Sequence, residues 1–347
     1  MVRVIQWATG SMGRTALRRI IDAPDLELAG VYVYSDKKAG MDAGQLCKRP
    51  DTGVLATNNI EEILALDADL VIHTPRITLP YEQMNADVIR LLESGKNVIS
   101  TAGFHYPLAH DEAYWAPLKA ACEKGNSTLA GLGVNPGGFI ERVVLAATGF
   151  SSKLDIITVS ETVDASEMVS KEFVFGLMGF GADPAVNDIT KGPLAAMYTS
   201  LFSEILHFVG KALNVDLIEI TPEHALTLAP HDMEIGAGTI KQGTVAATEW
   251  RWTARYSQDV SFTLSIIWTS DPKLHGKDTN GHWVVDIKGR PNMTMTFSVD
   301  EGDPTKPQSR ALTDATVSGA LRGVHDVVAA PAGFFAFYPS GAWQGRS

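Results

Sequence analysis

Two hydrophobic periodicities divide the chain. In its first 150 residues, short runs that are apolar at successive positions (VRVIQWA, LELAGVYVY, DLVIHTP, KNVIST and STLAGLGV) alternate with stretches where apolar residues return every three or four positions. A strand apolar on both faces belongs inside a parallel sheet, because crossover helices cover both of its sides. The intervening stretches supply such helices: Ala16, Leu17, Ile20 and Ile21 share one face, as do Ile60, Ile63 and Leu64, then Val88, Leu91 and Leu92, then Leu118 and Ala121. This alternation predicts an α/β fold with a doubly wound parallel sheet.

Beyond residue 150 the period shortens to two. LDIITVSETV, TVAATEWRWTARY, VSFTLSIIWT, HWVVDIKG and MTMTFSV alternate, with turn-rich joints such as KDTNGH and KGRPN, which predicts a mostly antiparallel sheet. The apolar-periodic segment at residues 197–214 is a helical insert. A last helix, LTDATVSGALRGVHDVVAA, follows the strands. The expected domains are residues 1–150, joined by a returning segment 310–347, and residues 151–309.

Charge and cysteine usage narrow the function classes. Twenty-nine basic against 40 acidic residues give a formal net charge of −11, whose field repels nucleic acid and anionic membranes. Cys47 and Cys122 match no metal-ligand spacing and read as reduced thiols of a cytoplasmic protein. The apolar stretch before the first glycine is too short for a signal peptide, and VVAAPAGFFAFY is interrupted by Pro331 and Gly333, so no membrane span is expected.

The stretch WATGSMGR, residues 7–14, joins the first strand directly to the first helix. The opening amides of a helix lack intrahelical acceptors and carry the positive end of its dipole, so such a junction attracts an anion. Gly10 lets a pyrophosphate approach the backbone, and Gly13 lets the helix pack on the sheet. Ala8 stands where the first glycine of a GxGxxG pattern serves the turn, a change of one methyl group. With a strand before and a helix after, the junction reads as a dinucleotide site.

The end of the second strand bears on which dinucleotide. NAD wants a carboxylate there for the ribose hydroxyl, whereas NADP wants hydroxyls and cations for the phosphate. The order Tyr32, Val33, Tyr34, Ser35 aligns Tyr34 with the usual acid. Ser35, Lys37 and Lys38 then suit a phosphate, and NADP is favoured. A shift of two residues would make Asp36 the ribose acid and NAD the cofactor.

TGSMGR, GVYVYS with AGMDAGQL, and GLGVNPGG at residues 131–138 together resemble the dihydrodipicolinate reductase-like proteins, most closely the 2,4-diaminopentanoate dehydrogenase and native amine dehydrogenase branch. The likeness is good over the first 150 residues. It implies a Rossmann domain, a second α+β domain built on an open mixed sheet that binds substrate and forms a homodimer, and NAD(P)-dependent chemistry on a C=N bond. It places Gly10, Ser11, Met12, Gly13 and Arg14 at the pyrophosphate and Ser35 beside the adenosine ribose. Thr74 and Pro75 fall near the nicotinamide ribose, Thr101 follows the fifth strand, and Asn135 lies near the nicotinamide carboxamide. In the same run Pro136 stops the strand, and the glycines after it let backbone approach a ring.

That branch carries a glutamate just after the fifth strand; here the stretch is STAGFHYP, residues 100–107, with no carboxylate. The EKHH cluster of true dihydrodipicolinate reductases is also absent. Hydride transfer needs a group that passes a proton to or from nitrogen or oxygen, and His105 and Tyr106 are the titratable members of that loop. In the second domain Glu161, with Asp164 and Glu167, offers carboxylates that could share a surface and attract an amine. FVFGLMGFGADP suits a wall over an apolar substrate, Trp250, Trp252 and Trp268 read as sheet packing or a dimer contact, and HDMEIG lacks the ligands for a metal site. The expectation is an oxidoreductase reducing an imine or ketone, or oxidising the corresponding amine. A redox sensor without turnover and a carbonyl or alcohol oxidoreductase are the alternatives.

Overall fold

The computed structural model describes residues 1–75, 81–135, 137–275, 282–301 and 310–345. Pro136 and all of KDTNGH but His282 lie outside the described residues. The chain forms two compact units, Met1–Val143 with Asp300–Tyr338, and Val144–Val299 with Pro339–Ser347. The division therefore falls a few residues before position 150, and the C-terminal return ends at Tyr338, the last residues belonging to the second unit.

The first unit begins with β1 (Val2–Trp7), α1 (Ser11–Asp22), β2 (Leu26–Tyr32), α2 (Ala43–Cys47), β3 (Ala56–Thr57) and α3 (Ile60–Ala65). It continues through β4 (Leu70–His73), α4 (Asn85–Glu93), β5 (Asn97–Ser100), α5 (Glu112–Gly125) and β6 (Thr128–Gly131). The AGMDAGQL motif starts α2: the buried Asp42 carboxylate caps it by accepting from the amides of Gly44, Thr52 and Gly53.

The second unit comprises β7 (Lys153–Asp164), α6 (Pro193–Leu213), β8 (Leu217–Pro222), β9 (Ala225–Leu228), β10 (Met233–Ile235), β11 (Gly238–Ile240), β12 (Val245–Tyr256), β13 (Ser261–Thr269), β14 (Trp283–Arg290) and β15 (Met293–Phe297). Its main sheet runs β15-β14-β7-β13-β12-β8, with β9 also on β12. β7 and β13 are parallel and the other pairs antiparallel, so the sheet is mixed. α6 covers one face: Trp252 Nε1 donates to Thr199 Oγ1 at 2.9 Å, Tyr198 packs on Trp250 and Trp268, and the Tyr256 hydroxyl donates to Leu206 O. Trp250 and Trp252 are thus core of this unit, while Trp268 is partly buried. HDMEIG carries β10, the first strand of the β10-β11 hairpin, and no group of His, Cys, Asp and Glu among the described residues could hold a metal.

The chain then returns to the first unit as α7 (Ala311–Leu321), α8 (Val324–Ala329) and β16 (Gly333–Phe335). The completed parallel sheet has the order β16-β6-β5-β4-β1-β2-β3. Alternate residues feed two cores. Ile5, Trp7, Val71 and Val98 meet Ile63, Leu91, Leu92 and Leu118 on one face, while Val4, Ile72, Ile99 and Ala130 meet Ala16, Ile20, Val317, Val324 and Val327 on the other. The last two helices therefore finish the second face of the sheet. Both free cysteines are buried in this unit, and no described helix is long and apolar enough to cross a membrane.

Candidate active site

The turn after β1 is built from beneath by a buried amide. The Gln6 side-chain nitrogen lies 2.9 Å from the carbonyl oxygens of Trp7 and Ala8 and from Thr74 Oγ1. Thr74 in turn donates to Trp7 O at 2.9 Å, so the tips of β1 and β4 are locked together. Held this way, Ala8 adopts φ +70°, the left-handed region that costs a residue with a Cβ about 1 kcal/mol. The missing first glycine is thus replaced at a conformational cost, not merely by an extra methyl. Gly13 cannot be replaced: a Cβ there would stand 2.1 Å from Ala8 O. Above Gly10 nothing lies within 4 Å of a Cβ position, and no side chain caps α1, so its first amides face open space.

That space is a cavity of about 370 Å³ lined by Ala8, Thr9, Gly10, Ser11, Met12, Tyr34, Ser35, Lys38, Thr74 and Pro75. It gathers most of the expected cofactor residues. Lys38 reaches back to the turn, donating to Thr9 O at 3.0 Å and Thr9 Oγ1 at 3.1 Å. Tyr34, which the sequence offered only as the position without an acid, is a wall: its hydroxyl accepts from Trp7 Nε1 at 2.9 Å. Asp36 is off the cavity and accepts from Asn58 Nδ2 at 2.6 Å, while Lys37 is exposed and does not line it. Arg14 faces a second cavity of about 180 Å³, shared with Ser11, Thr15, Arg18, Leu46, Cys47 and Lys48. Ser11 borders both. A phosphate-bearing dinucleotide fits this combination of open glycine, free amides and basic flank.

The loops after β5 and β6 are pressed together along the same sheet edge. The Thr101 amide donates to His73 O, and buried His73 Nδ1 lies 3.1 Å from Ser100 Oγ. Burial holds His73 down to about 3, so it is a neutral spacer. Gly103 and Phe104 take positive φ, +128° and +65°, which turns the chain under β6. A Cβ on Gly131 would strike Gly103 O at 2.3 Å and the His105 amide at 2.4 Å. His105 itself is 6% exposed, and a Cβ on Gly137 would stand 2.2 Å from its Nδ1. Tyr106 is half-buried, and burial raises its hydroxyl. Asn135 lies in the turn between β6 and Gly137.

Glu161 sits in the second unit, on the inward face of β7 opposite Trp283 and Ile266. Burial pushes its carboxyl up to about 8. The shared acidic surface does not form: Glu161 is 5% exposed, whereas Asp164 and Glu167 are exposed beyond it. Strand alternation separates residues three apart. Sequence reasoning missed Gln6, Tyr34 and also Glu141, a buried carboxyl just past the β6 turn. A glutamine inside an apolar strand was the available signal for the first, and a charged residue in the apolar run FIERVVLA for the last.

The sequence matches the dihydrodipicolinate reductase N-terminal family model over residues 3–115. An amine dehydrogenase from Streptomyces virginiae is 30% identical over 340 residues, covering 92% of each chain. A 4-hydroxy-tetrahydrodipicolinate reductase from Paraburkholderia phymatum is 31% identical over 157 residues, 44% of this chain and 54% of that one. Among solved structures, an amine dehydrogenase from Mycobacterium smegmatis superposes with a TM-score of 0.78 at 17% identity, covering 99% of this chain and 97% of that one. With its Rossmann domain and these relatives, the chain is an NAD(P)-dependent oxidoreductase. The chain belongs to the amine dehydrogenase family.

Proposed function

We propose that this enzyme oxidises a small amine to its imine, or forms the amine from a carbonyl compound and ammonia, with NADP(H) preferred over NAD(H). The observation that carries the reading is the open cavity over Gly10 in a chain that matches an amine dehydrogenase over nearly its whole length. The bound nicotinamide would accept or supply the hydride. Gly10, Ser11, Met12 and Gly13 would hold the diphosphate by backbone amides, with Arg14 adding charge. Thr74 and Pro75 would border the ribose, and Thr101 and Asn135 would meet the nicotinamide end.

Preference for NADP rests on three features: Ser35 and Lys38 line the cavity, Asp36 is engaged with Asn58, and Arg14, Arg18 and Lys48 surround the adjoining space. Lys37 serves only as nearby positive charge. His105 or Tyr106 would handle the substrate proton, with Glu161, whose burial favours its protonated form, as a second acid in the second unit. We further assign the protein to the cytoplasm, where reduced Cys47 and Cys122 are at home, and to a homodimer formed through the second unit.

The test is absorbance at the nicotinamide band with purified protein, NADPH or NADH, a panel of ketones and aldehydes, and ammonia, plus the reverse reaction with primary amines. Turnover that requires ammonia and runs faster with NADPH supports the reading. Turnover of plain carbonyls without ammonia would make it an alcohol-forming enzyme, and a flat trace with saturable NADPH binding would make it a sensor. Light scattering of the eluted protein checks the dimer.

A further inference from the structure

The smaller cavity beside the diphosphate turn has an unusual lining. Arg14, Arg18 and Lys48 are cations, Ser11 and Thr15 carry hydroxyls, and none of its described lining residues is a carboxylate. The chain as a whole has a formal net charge of −11, so cations gathered round one space run against its composition. Like charges held close repel one another, and an anion placed among them removes that cost.

The walls of this cavity are fixed. Arg14 and Arg18 are four residues apart and so share a face of α1. The Thr15 hydroxyl donates to Ser11 O at 3.1 Å and accepts from Arg18 Nη2 at 3.1 Å, which anchors one corner of the guanidinium. Leu17 of α1 shares a buried cluster with Ala43 and Cys47 of α2, so the two helices keep their spacing. Nearby acids are engaged with other arginines. Asp22 accepts from Arg49 Nε at 2.8 Å and Nη2 at 2.6 Å, and both oxygens of Asp314 accept from Arg19.

Lys48 is the most telling member. It ends α2 in the left-handed conformation, φ 62° and ψ 50°. The helices α5 and α6 end the same way on Asn126 and Asn214, and asparagine tolerates that region where a lysine is strained. Lysine gains nothing in conformation at this position. It does bring a third cation to the cavity from the α2 side.

Size and chemistry select the ligand. At about 180 Å³ the cavity is smaller than the roughly 300 Å³ at which pockets for organic ligands begin, so it suits a small ion. Guanidinium groups pair with phosphate oxygens two at a time, and an ammonium adds a point charge. The cavity meets the cofactor cavity at Ser11. In NADP one ribose separates the 2′-phosphate from the diphosphate, so a dinucleotide held over Ser11 carries that group toward Arg18 and Lys48.

We propose that this cavity seats a phosphate dianion, supplied by the 2′-phosphate of NADP(H) or by free phosphate. For the first source the inference deepens the cofactor reading above and rests on it. Arg18 and Lys48 are then the residues that decide NADP over NAD, since NADH has no group to offer them.

The experiment uses the full chain with Arg18→Gln, Lys48→Gln and Lys48→Gly. Each is titrated with NADPH and NADH by nicotinamide fluorescence, in potassium phosphate or in potassium chloride of equal ionic strength. Arg18→Gln is expected to raise the NADPH dissociation constant about tenfold and each Lys48 variant about fivefold, as for one lost charge-assisted hydrogen bond, with NADH within about twofold. Lys48→Gly separates binding from folding: it relieves the positive φ, so it should melt at or above wild type while binding NADPH more weakly. Phosphate should raise the melting temperature of wild type more than chloride does, and that of Arg18→Gln less. Phosphate that displaces NADPH and spares NADH identifies the 2′-phosphate as the occupant. Phosphate that stabilises the protein without displacing NADPH identifies the free ion. Wild-type affinity for NADPH in Arg18→Gln, with no phosphate effect beyond chloride, overturns the inference, as does an equal loss of both dinucleotides. A protein that binds neither dinucleotide overturns the cofactor reading instead, and the phosphate melting curves alone then decide the cavity.

Discussion

Two turns at the carboxyl edge of one sheet do opposite kinds of work. The turn after β1 offers backbone amides over an open glycine, and among the described residues no buried titratable side chain lines its cavity. The turn after β6 is enclosed, and beside it lie His105, Tyr106 and Glu141, all buried or half-buried. The first fixes charge by peptide dipoles that do not titrate. The second gathers groups whose charge depends on burial. On the proposed function, binding and proton transfer would be separated along the sheet, and variants should separate them too.

The largest effect is expected at the second turn. His105→Ala should reduce kcat by about 100-fold or more if the imidazole carries the proton, with cofactor affinity nearly constant. Steady-state kinetics beside NADPH titration decide it, and equal turnover would take His105 out of the chemistry. At the first turn, Gly13→Ala forces a methyl against Ala8 O. It should cost ~1–3 kcal/mol of stability and weaken both nicotinamide dinucleotides, as thermal melting and fluorescence titration would report.

The pH response also divides the regions. Glu141 and Glu161 are lifted from the ordinary 4.5 to about 8, so the folded chain holds more protons than the unfolded one between those values. Their contribution is complete below 4.5 and is lost as pH rises toward about 8. His73, lowered from 6.5 to about 3, works the other way: its contribution is complete above 6.5 and is lost as pH falls toward 3. Melting curves of Glu161→Gln should accordingly flatten the decline between pH 4.5 and about 8, by up to about 5 kcal/mol across the window. A parallel pair of curves would mean that the group ionises freely in the fold.

Smaller effects probe the cofactor cavity. Ser35→Ala should weaken NADPH by about fivefold, near 1 kcal/mol, and leave NADH alone. Equal losses would place the adenosine ribose elsewhere. Ala8→Gly relieves the positive φ and should raise the unfolding free energy by up to about 1 kcal/mol, seen as a higher urea midpoint with an unchanged slope.

The parallel sheet was legible because each of its long strands is apolar on successive residues and each helix keeps its apolar face. β3 and β16 were not, being two and three residues long and defined by their neighbours. The diphosphate turn was readable from residue order alone, since free amides follow from where a helix starts. What surrounds a side chain was not readable. Glu161 and Asp164 look alike in SETVDASEM, and only sheet register puts one inside and the other outside.

By itself the amino-acid order determined the period of each element and hence the two kinds of sheet, along with the glycine junction and its affinity for an anion. These are local properties, set by side chains within one or two helical turns. The tertiary structure alone decided that Tyr34 walls the cavity, that Asp36 turns away, and that Glu141 is buried without a hydrogen-bond partner for its carboxyl oxygens among the described residues. Those outcomes depend on residues brought together from distant parts of the chain, and it is burial among such neighbours that sets whether a carboxyl is charged.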